Sequence, residues 1–341
     1  MNHRDVLDED SRHSLRGIPV AQLANKTVLV TGASGLIGTH FLYGLVHCKA
    51  QLGLRLRVVG VVQRGIPEHL AWMKRQGHVR FLRGNMAQTS FLAGLPQADL
   101  IIHAATYAQP DLFMENPAVT LQLNTTGTLA LLEKLLPRGQ FLFLSSSEIY
   151  SGLTDPPFSE DQIGTTNTTH PRSCYIEAKR CGEAICSAYR ARGIDAKSVR
   201  LSLIYGPGTR PGDKRVLNSF IERALREKAI RLLDRGEAKR TYCYVSDAMR
   251  MVWRILLEGK DPIYNVGGTS STTILGLAHL IGDLLDVPVR VPMEPSTGVV
   301  GAPDDVRLDL AKFVNEFGPI ELTGLQEGVA RTVEWQKALY T

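Results

Sequence analysis

The stretch from Lys26 to Gly38 constrains this chain most, because it joins a β-branched run to three regularly spaced glycines. The run predicts a buried strand, the glycines predict a tight turn, and the apolar periodicity from Leu36 to Leu45 predicts a helix. Gly32 would permit the turn, Gly35 would let the backbone approach a pyrophosphate, and Gly38 would let helix and strand pack closely. The free N–H groups and the dipole at a helix N-terminus both favour an anion. The stretch therefore indicates a dinucleotide site, although glycines also close strand–helix turns for structural reasons alone.

The composition restricts the classes of protein to consider. With 341 residues, the chain can form one large α/β domain with a lobe, or two domains. Its net charge of +5 comes from scattered basic residues, which favours a small anionic substrate over nucleic acid. No apolar run reaches the roughly 18 residues of a membrane span, and no signal peptide is evident, so we expect no membrane association. The five cysteines lack metal-site spacing, and their odd number predicts reduced thiols, a cytoplasmic location and no bound metal.

Strand-like and helix-like segments alternate after the glycine turn. The predicted strands cover residues 55–62, 79–82, 100–105, 140–150 and 196–204, and the predicted helices include 117–135, 173–192 and 216–227. This alternation predicts an α/β fold with a doubly wound parallel sheet, a Rossmann fold.

We expect three parts along the chain. Residues 1–24 would form an N-terminal arm, either loose or strapped onto a neighbouring surface. Residues 25–204 plus about 244–268 would form the dinucleotide-binding domain. Residues from about 205–243 and 269–341 would form a smaller C-terminal lobe that binds the substrate.

The ends of the predicted strands supply candidate contacts for a cofactor. An NAD site usually places an acid after the second strand, but this chain has Gln63 and Arg64 there. Arg64 could contact the 2′-phosphate of NADP, or it could be a solvated loop charge. Asn124 lies in an apolar helix, where it could hold an active-site strand through backbone hydrogen bonds or could be a surface residue. The expected cofactor contacts are Gly32, Ser34, Gly35, Leu36, Ile37, Gly38, Gln63, Arg64, Asn85, Met86, Ala104, Ala105, Thr106, Asn124, Tyr175 and Lys179.

Hydroxyl-activating residues follow the fifth strand. Ser145 to Tyr150 place three hydroxyls and the Glu148 carboxylate at a strand end, where a parallel sheet forms its ligand crevice. Tyr175 and Lys179 are four apart on one helix face, so the ammonium could lower the pKa of the phenol. A phenolate there could remove a hydroxyl proton. His103, in the fourth strand, is better explained as a packed strand residue than as a base.

These motifs together resemble the extended short-chain dehydrogenase/reductases, in the branch of nucleotide-sugar epimerases, dehydratases and decarboxylases. The resemblance covers roughly residues 25–340 and includes TGASGLIG, the Asn124-x-x-Gly127-Thr128 pattern, the serine strand, YxxxK, YGPG and YVSD. Within this branch, Ser145–Tyr150 and Pro171–Arg180 are most similar to the UDP-glucuronate decarboxylases.

The resemblance implies an NAD-dependent enzyme, with NADP as the alternative, that oxidises a nucleotide sugar at C4 through a 4-keto intermediate. It implies that Tyr175 is the base, that Lys179 holds the cofactor ribose and tunes Tyr175, and that Ser146 binds the reacting oxygen. Glu148 is the fourth implied catalytic residue, acting near C5. The implied substrate-binding residues are Ser147, Arg172, Arg215, Arg240 and Arg307. The resemblance also implies a homodimer with a four-helix interface.

The chain departs from the decarboxylase pattern at several positions. Leu203 replaces a family asparagine, and Gln63-Arg64 replace the acid after the second strand. A 4-epimerase or a 4,6-dehydratase therefore remains an alternative. A non-catalytic NAD(P)-binding sensor is a more remote one, because fold alone does not imply function. The complete set of Ser146, Tyr175 and Lys179 favours an enzyme over a sensor.

Overall fold

The structure is a computed structural model that describes residues 3–293 and 305–340. Within these residues the chain forms twelve strands. They are β1 (Thr27–Thr31), β2 (Arg57–Val62), β3 (Arg80–Arg83), β4 (Ala98–His103), β5 (Leu135–Ser146), β6 (Asp195–Leu201), β7 (Ile204–Tyr205), β8 (Ile230–Arg231), β9 (Lys239–Tyr244), β10 (Ile263–Val266), β11 (Ser270–Thr273) and β12 (Val289–Arg290).

The described residues also form thirteen α-helices, with two short 3₁₀ helices at Val20–Leu23 and Ser147–Tyr150. The α-helices are α1 (His3–Ser14), α2 (Leu36–Ala50), α3 (Glu68–Arg75), α4 (Thr89–Ala93), α5 (Pro110–Glu115), α6 (Pro117–Asn124), α7 (Thr126–Leu132), α8 (Ser173–Arg190), α9 (Val216–Glu227), α10 (Val245–Glu258), α11 (Ile274–Leu285), α12 (Ala311–Phe317) and α13 (Leu325–Tyr340). Among the helices of residues 3–293 and 305–340, none combines the length and apolarity that a membrane crossing requires.

Seven strands form one sheet in the order β10-β6-β5-β4-β1-β2-β3, and each neighbouring pair is parallel. Alternate residues of a strand belong to two different hydrophobic cores: Val28 and Leu100 to one, Leu29 and Ile101 to the other. A sheet covered on both faces needs such continuous apolar strands. The predicted doubly wound α/β sheet is therefore confirmed. The carboxyl ends of its strands meet at one edge, where open α/β sheets bind their ligands.

Two smaller sheets lie in the part of the chain after β6. One has the strand order β11-β9-β7, and the other pairs β12 with β8. The helices α9, α11 and α13 pack against one another in this region. Between these segments the chain returns to the main sheet, where β10 pairs with β6. The division into a dinucleotide-binding domain and a substrate lobe stays a prediction.

The N-terminal residues form a helix that packs on the rest of the molecule. Val6 and Leu7 of α1 are buried, and α1 contacts α2, α10 and α13. The Asp10 carboxylate accepts hydrogen bonds from the Tyr244 hydroxyl and from Nη2 of Arg331, both at 2.9 Å. Residues 3–14 therefore lie as a strap on a neighbouring surface, which was one of the two expectations for the N-terminal arm. The other expectation, a loose arm, is wrong for these residues.

The helix expected over residues 117–135 is in fact two helices, α6 and α7, that meet at Thr125. The hydroxyls of Thr120, Thr125 and Thr128 donate to carbonyls four residues earlier, at 2.9, 2.8 and 2.6 Å. Hydroxyls that bond back to the preceding turn often bend a helix. The second helix ends at Leu132 because β5 already begins at Leu135.

The strand expected over residues 140–150 both begins and ends earlier than its apolar pattern predicts. It ends at Ser146, and a 3₁₀ turn follows from Ser147 to Tyr150. The Ser146 side chain caps this turn, since its Oγ accepts the N–H of Glu148 at 3.2 Å. The three serine hydroxyls and the Glu148 carboxylate are thus divided between the end of β5 and a short 3₁₀ turn.

We predict that Leu7→Ala lowers the free energy of unfolding by about 2–5 kcal/mol, the usual cost of truncating a buried leucine. Leu7, on the buried face of α1, is 0% exposed, whereas Leu52 is 51% exposed and offers a control with the same chemical change. Thermal unfolding followed by circular dichroism should show a lower Tm for Leu7→Ala and almost no shift for Leu52→Ala. Equal shifts in Tm would mean that the packing of α1 does not stabilise the folded state.

Candidate active site

The turn after β1 has no room for side chains at two of its glycines. Gly32 has φ +63°, and a Cβ there would lie 2.5 Å from the carbonyl oxygen of Ala104. A Cβ on Gly38 would overlap the carbonyl oxygen of Gly32. Among the described residues no side chain caps the helix α2 that begins next at Leu36. A bare backbone turn that leads into uncapped helix N–H groups fits a dinucleotide pyrophosphate.

Arg210 contacts this turn and was not predicted from the sequence. Its Nε donates to the carbonyl oxygen of Ser34 at 2.8 Å, and its Nη2 donates to the Ser34 hydroxyl. Burial, and then the charge of Arg64, lower the pKa of Arg210. Arg64 and Gln63 are exposed at the end of β2. The only sequence signal for Arg210 was its place shortly after the YGPG motif.

The end of β4 forms the neighbouring wall of the turn. The N–H of Ala105 donates to the Thr31 hydroxyl at 3.3 Å. The buried Asn124 donates from Nδ2 to the Thr106 hydroxyl at 2.9 Å and to the Thr120 carbonyl at 2.8 Å. Asn124 therefore fixes the segment after β4, and the surface alternative for it is wrong.

His103 and the residues after β3 have mainly structural contacts. The two ring nitrogens of His103 hydrogen-bond with Thr31 Oγ1 at 2.8 Å and the Leu123 carbonyl at 2.9 Å. Burial lowers the pKa of His103 to about 4, so the ring is neutral, as expected of a packed strand residue. Asn85 accepts the N–H of Ala87 at 3.0 Å, and Met86 is buried in the core. Their contact with an adenine stays a prediction.

The four expected catalytic residues lie on three adjacent elements: Ser146 ends β5, Glu148 lies in the 3₁₀ turn, and Tyr175 and Lys179 lie on α8. Ser146 is close enough to the Tyr175 hydroxyl to influence its ionisation through hydrogen bonding. The Lys179 ammonium donates to the carbonyl oxygen of Leu144 at 2.5 Å. It lies 5.6 Å from the centre of the Tyr175 ring.

Phe113 of α5 is a second residue that the sequence did not reveal. Its ring stacks on Tyr175, with centroids 4.6 Å apart and an angle of 10° between the planes. Cys174 Sγ donates to the Phe113 carbonyl at 3.4 Å, which fixes the same segment from the start of α8. This stacking covers one face of the Tyr175 ring and fixes its orientation.

The charges in the site are controlled mainly by burial. Burial raises the pKa of Tyr175 to about 12, with Ser146 acting in the opposite direction. Burial also lowers the pKa of Lys179 to about 7, opposed by the carboxylate of Glu183. The expectation that Lys179 lowers the phenol's pKa is not met, because its ammonium is itself poorly solvated and is directed at a backbone carbonyl.

Glu148 and Arg172 form an ion pair beside these residues. Burial raises the pKa of Glu148, while Arg172, His170 and Arg240 lower it. Within the described residues, Nε of Arg172 has no hydrogen-bond partner although it is buried. The adjoining cavity is lined by Ser147, Glu148, Tyr150, Ser151, Leu153, Phe158 and Val306.

The three arginines expected to bind phosphates surround this region. Nε of Arg215 donates to Asp213 Oδ1 at 3.0 Å, and the charge of Arg215 offsets a small part of the rise that burial causes in the pKa of the Tyr175 phenol. Arg240 donates to the Lys239 carbonyl at 2.6 Å and lies near Glu148. Arg307 pairs with Asp305 at 3.1 Å and donates to the Pro156 carbonyl at 3.3 Å. Their contact with phosphates stays a prediction.

Comparisons with known proteins agree with this geometry. The family described as "NAD dependent epimerase/dehydratase family" matches residues 28–267. UDP-glucuronic acid decarboxylase 6 of Arabidopsis thaliana is 31% identical, over 90% of this chain and 87% of its own length. UDP-glucuronic acid decarboxylase 1 of Danio rerio is 29% identical, over 91% of this chain and 72% of its own.

Among solved structures, the dTDP-glucose 4,6-dehydratase DesIV of Streptomyces venezuelae, with NAD bound, has a TM-score of 0.79. It is 25% identical and is matched over 92% of this chain and 97% of its own. The glycine turn, the serine strand end and the Tyr-Lys helix thus occur together in a chain that belongs to the NAD-dependent epimerase/dehydratase family.

Proposed function

We propose that this protein is an NAD-dependent enzyme that oxidises a nucleotide sugar at C4 and then acts on the resulting 4-keto sugar as a UDP-glucuronate decarboxylase does. The observation that supports this most is the juxtaposition of Ser146, Tyr175 and Lys179 with the ion pair between the partly buried Glu148 and the buried Arg172. The first set can activate a hydroxyl, and the second pair lies where a later step at C5 would occur. The relatives named UDP-glucuronic acid decarboxylase support the same outcome.

The turn between β1 and α2 would hold the cofactor. Gly32, Gly35 and Gly38 would accommodate the pyrophosphate, and Arg210 adds a positive charge beside Ser34. When bound, NAD accepts a hydride from the sugar and later returns it. We propose NAD over NADP because the dehydratase of similar structure was solved with NAD. Arg64 is the residue that favours NADP, because an arginine after the second strand can meet a 2′-phosphate.

Tyr175 would take the proton from the sugar's C4 hydroxyl. A phenol whose pKa is about 12 is almost entirely protonated at neutral pH, so it supplies little of the phenolate that acts as the base. Binding of the cofactor and the sugar must therefore stabilise the phenolate. Positive charge from Arg172 and Arg215 has the right sign, and Ser146 can donate a hydrogen bond to the same oxygen. The protein thus supplies a base that is active only in an assembled site.

Glu148 and Arg172 would serve the step after oxidation. A C4 ketone lets the C5–carboxylate bond break, since the electron pair moves into an enolate at the C4 oxygen and CO₂ leaves. A proton must then reach C5, and the partly buried Glu148 carboxyl, whose pKa is raised by desolvation, is suited to deliver it. A 4-epimerase has no such step, whereas a 4,6-dehydratase would use a group near C5 for proton removal.

The proposed function is tested by adding UDP-, GDP-, CDP- and dTDP-sugars to the purified protein. Mass analysis of the cofactor released on denaturation identifies it as NAD or NADP. We expect a nucleotide uronic acid to yield CO₂ and the corresponding pentose nucleotide. Turnover of a neutral hexose nucleotide instead would favour the epimerase or dehydratase alternative, and bound cofactor without turnover of any sugar would favour the sensor.

We also propose a cytoplasmic location. All five cysteines lie in the described residues, and each is a free thiol. Reduced thiols are typical of a reducing compartment. Subcellular fractionation of the native source would test this.

We predict that Tyr175→Phe lowers turnover at least ~100-fold, because it removes the hydroxyl that transfers the proton. The stacked ring is retained, so the fold and the affinity for the substrate should be nearly unchanged. Steady-state kinetics and calorimetric binding separate the two quantities. Near-normal turnover would contradict the proposed role of Tyr175 as the base.

Glu148→Gln should lose product formation but still reduce the bound cofactor when the sugar is added. The amide keeps the shape and hydrogen bonding of the side chain but removes its charge and its proton. The stalled enzyme would show absorbance of the reduced cofactor near ~340 nm. Full turnover by this variant would indicate that Glu148 is structural and that the enzyme is an epimerase.

We expect a homodimer in solution. Met114, Leu121 and Leu129 on α5, α6 and α7 are 38%, 39% and 43% exposed, which is unusual for large apolar side chains on adjacent helices. The double change Leu121→Glu and Leu129→Glu should convert a particle of twice 37.5 kDa into one of 37.5 kDa in light scattering. Leu52→Glu, on a distant exposed leucine, should leave the dimer intact, and a monomeric wild type would refute the prediction.

A further inference from the structure

A buried ion pair lies beneath the site and has no part in the chemistry proposed above. Glu183 on α8 and Arg200 on β6 are only 5% and 1% exposed. Nε of Arg200 donates to Glu183 Oε1 at 3.0 Å, and Nη2 donates to Oε2 at 2.8 Å. Burying two charges is costly, and such a pair is weak evidence for stability alone. The contacts of each partner therefore need an explanation.

The Glu183 end contacts the elements that carry Ser146, Tyr175 and Lys179. The hydroxyl of Ser145, the residue before Ser146, donates to Oε1 of Glu183. Lys179 lies one helical turn before Glu183, and the Glu183 carboxylate is the charge that favours the Lys179 ammonium. Glu183 thus connects α8 to the end of β5.

The Arg200 end contacts the turn that carries Glu148. Nη1 of Arg200 donates to the Tyr150 hydroxyl at 2.8 Å and to the Glu160 carbonyl at 2.9 Å. The Tyr150 hydroxyl in turn donates to Oδ1 of Asn265 at 2.7 Å. Tyr150 is two residues after Glu148 and closes the same 3₁₀ turn. Arg200 therefore fixes the turn and the loop that follows it.

We propose that Glu183 and Arg200 are positioning residues that hold the two halves of the site in register. The Glu183 end aligns the oxidation half, which comprises Ser146, Tyr175 and Lys179. The Arg200 end aligns the Glu148 half through Tyr150. This inference rests on the proposed function, because the two halves act in sequence on one sugar.

The Tyr150→Phe variant tests the Arg200 end with little risk to folding, since it removes one hydroxyl and keeps the ring. The Glu148 turn would lose its bonds to Arg200 and Asn265, while the Ser146–Tyr175 contact would remain. We expect cofactor reduction at the wild-type rate and product formation slowed about 10- to 100-fold, the scale of a misplaced group. Reduced cofactor would then accumulate near ~340 nm.

The Glu183→Gln variant tests the other end and keeps the side chain's shape. Here we expect cofactor reduction itself to slow about 10- to 100-fold, because the strand end and Lys179 lose their shared partner. Together the two variants should separate the steps, because Tyr150→Phe stalls after the sugar is oxidised and Glu183→Gln slows the oxidation itself.

Tyr264→Phe is the matched control. Tyr264, on β10, is buried like Tyr150, but its hydroxyl donates to Glu316 and does not contact Arg200. We expect it to lower Tm about as much as Tyr150→Phe does, with both rates unchanged. Product formation at the wild-type rate by Tyr150→Phe, or equal accumulation of reduced cofactor in Tyr264→Phe, would overturn the inference for Arg200.

Cofactor reduction at the wild-type rate by Glu183→Gln would overturn the inference for Glu183. A wild-type protein that never reduces its cofactor with any sugar would instead refute the proposed function.

Discussion

The close approach of two backbone segments is the constraint on which the rest of this structure depends. The turn after β1 lies against the end of β4, where a Cβ on Gly32 would meet the Ala104 carbonyl. The same turn contacts the first residues of α2, since Gly38 lies against Gly32. With these contacts in place, the turn presents backbone N–H groups in place of side chains. The strand order then places β5 on the far side of β4, so that Ser146 ends at the same edge.

Burial governs the chemistry that this edge can perform. The raised pKa values of Tyr175 and Glu148 and the lowered pKa of Lys179 all have desolvation as the first cause. Each group is therefore biased toward its neutral form until an opposite charge approaches. A charged ligand that binds here would therefore shift that balance. The site is accordingly one in which substrate binding and ionisation are coupled.

The sequence predicted the elements better than it predicted their contacts. Periodicity identified the buried strands of the main sheet, and it placed α9 at its observed bounds, because regular elements alternate polar and apolar residues locally. It placed Ser146, Glu148, Tyr175 and Lys179 near one another, because strand ends of a parallel sheet share an edge. It failed at 117–135, where three threonine hydroxyls bond back to the helix in a way that an apolar pattern does not record.

The missed residues share a different cause. Arg210 is 176 residues from the Ser34 oxygen that it contacts, and Arg200 is 50 residues from Tyr150. Phe113 stacks on Tyr175 from a separate helix. Such contacts depend on how the chain returns to the sheet, which no local spacing encodes. The shifted ionisation of Tyr175 was missed for the same reason, since it depends on burial by distant segments.

The position of α1 has a consequence for the order in which the protein is completed during synthesis. Its helix packs on α10 and is fixed by Arg331 of α13, more than 300 positions along the chain. Contacts of such long sequence separation form late, because the intervening chain must be ordered first. The contacts of α1 with α10 and α13 can therefore form only after those helices have been made, whereas its contacts with α2 can form early. Until α10 and α13 are made, α1 has only part of its packing partners, and a segment with incompletely covered apolar side chains is the kind that chaperones protect.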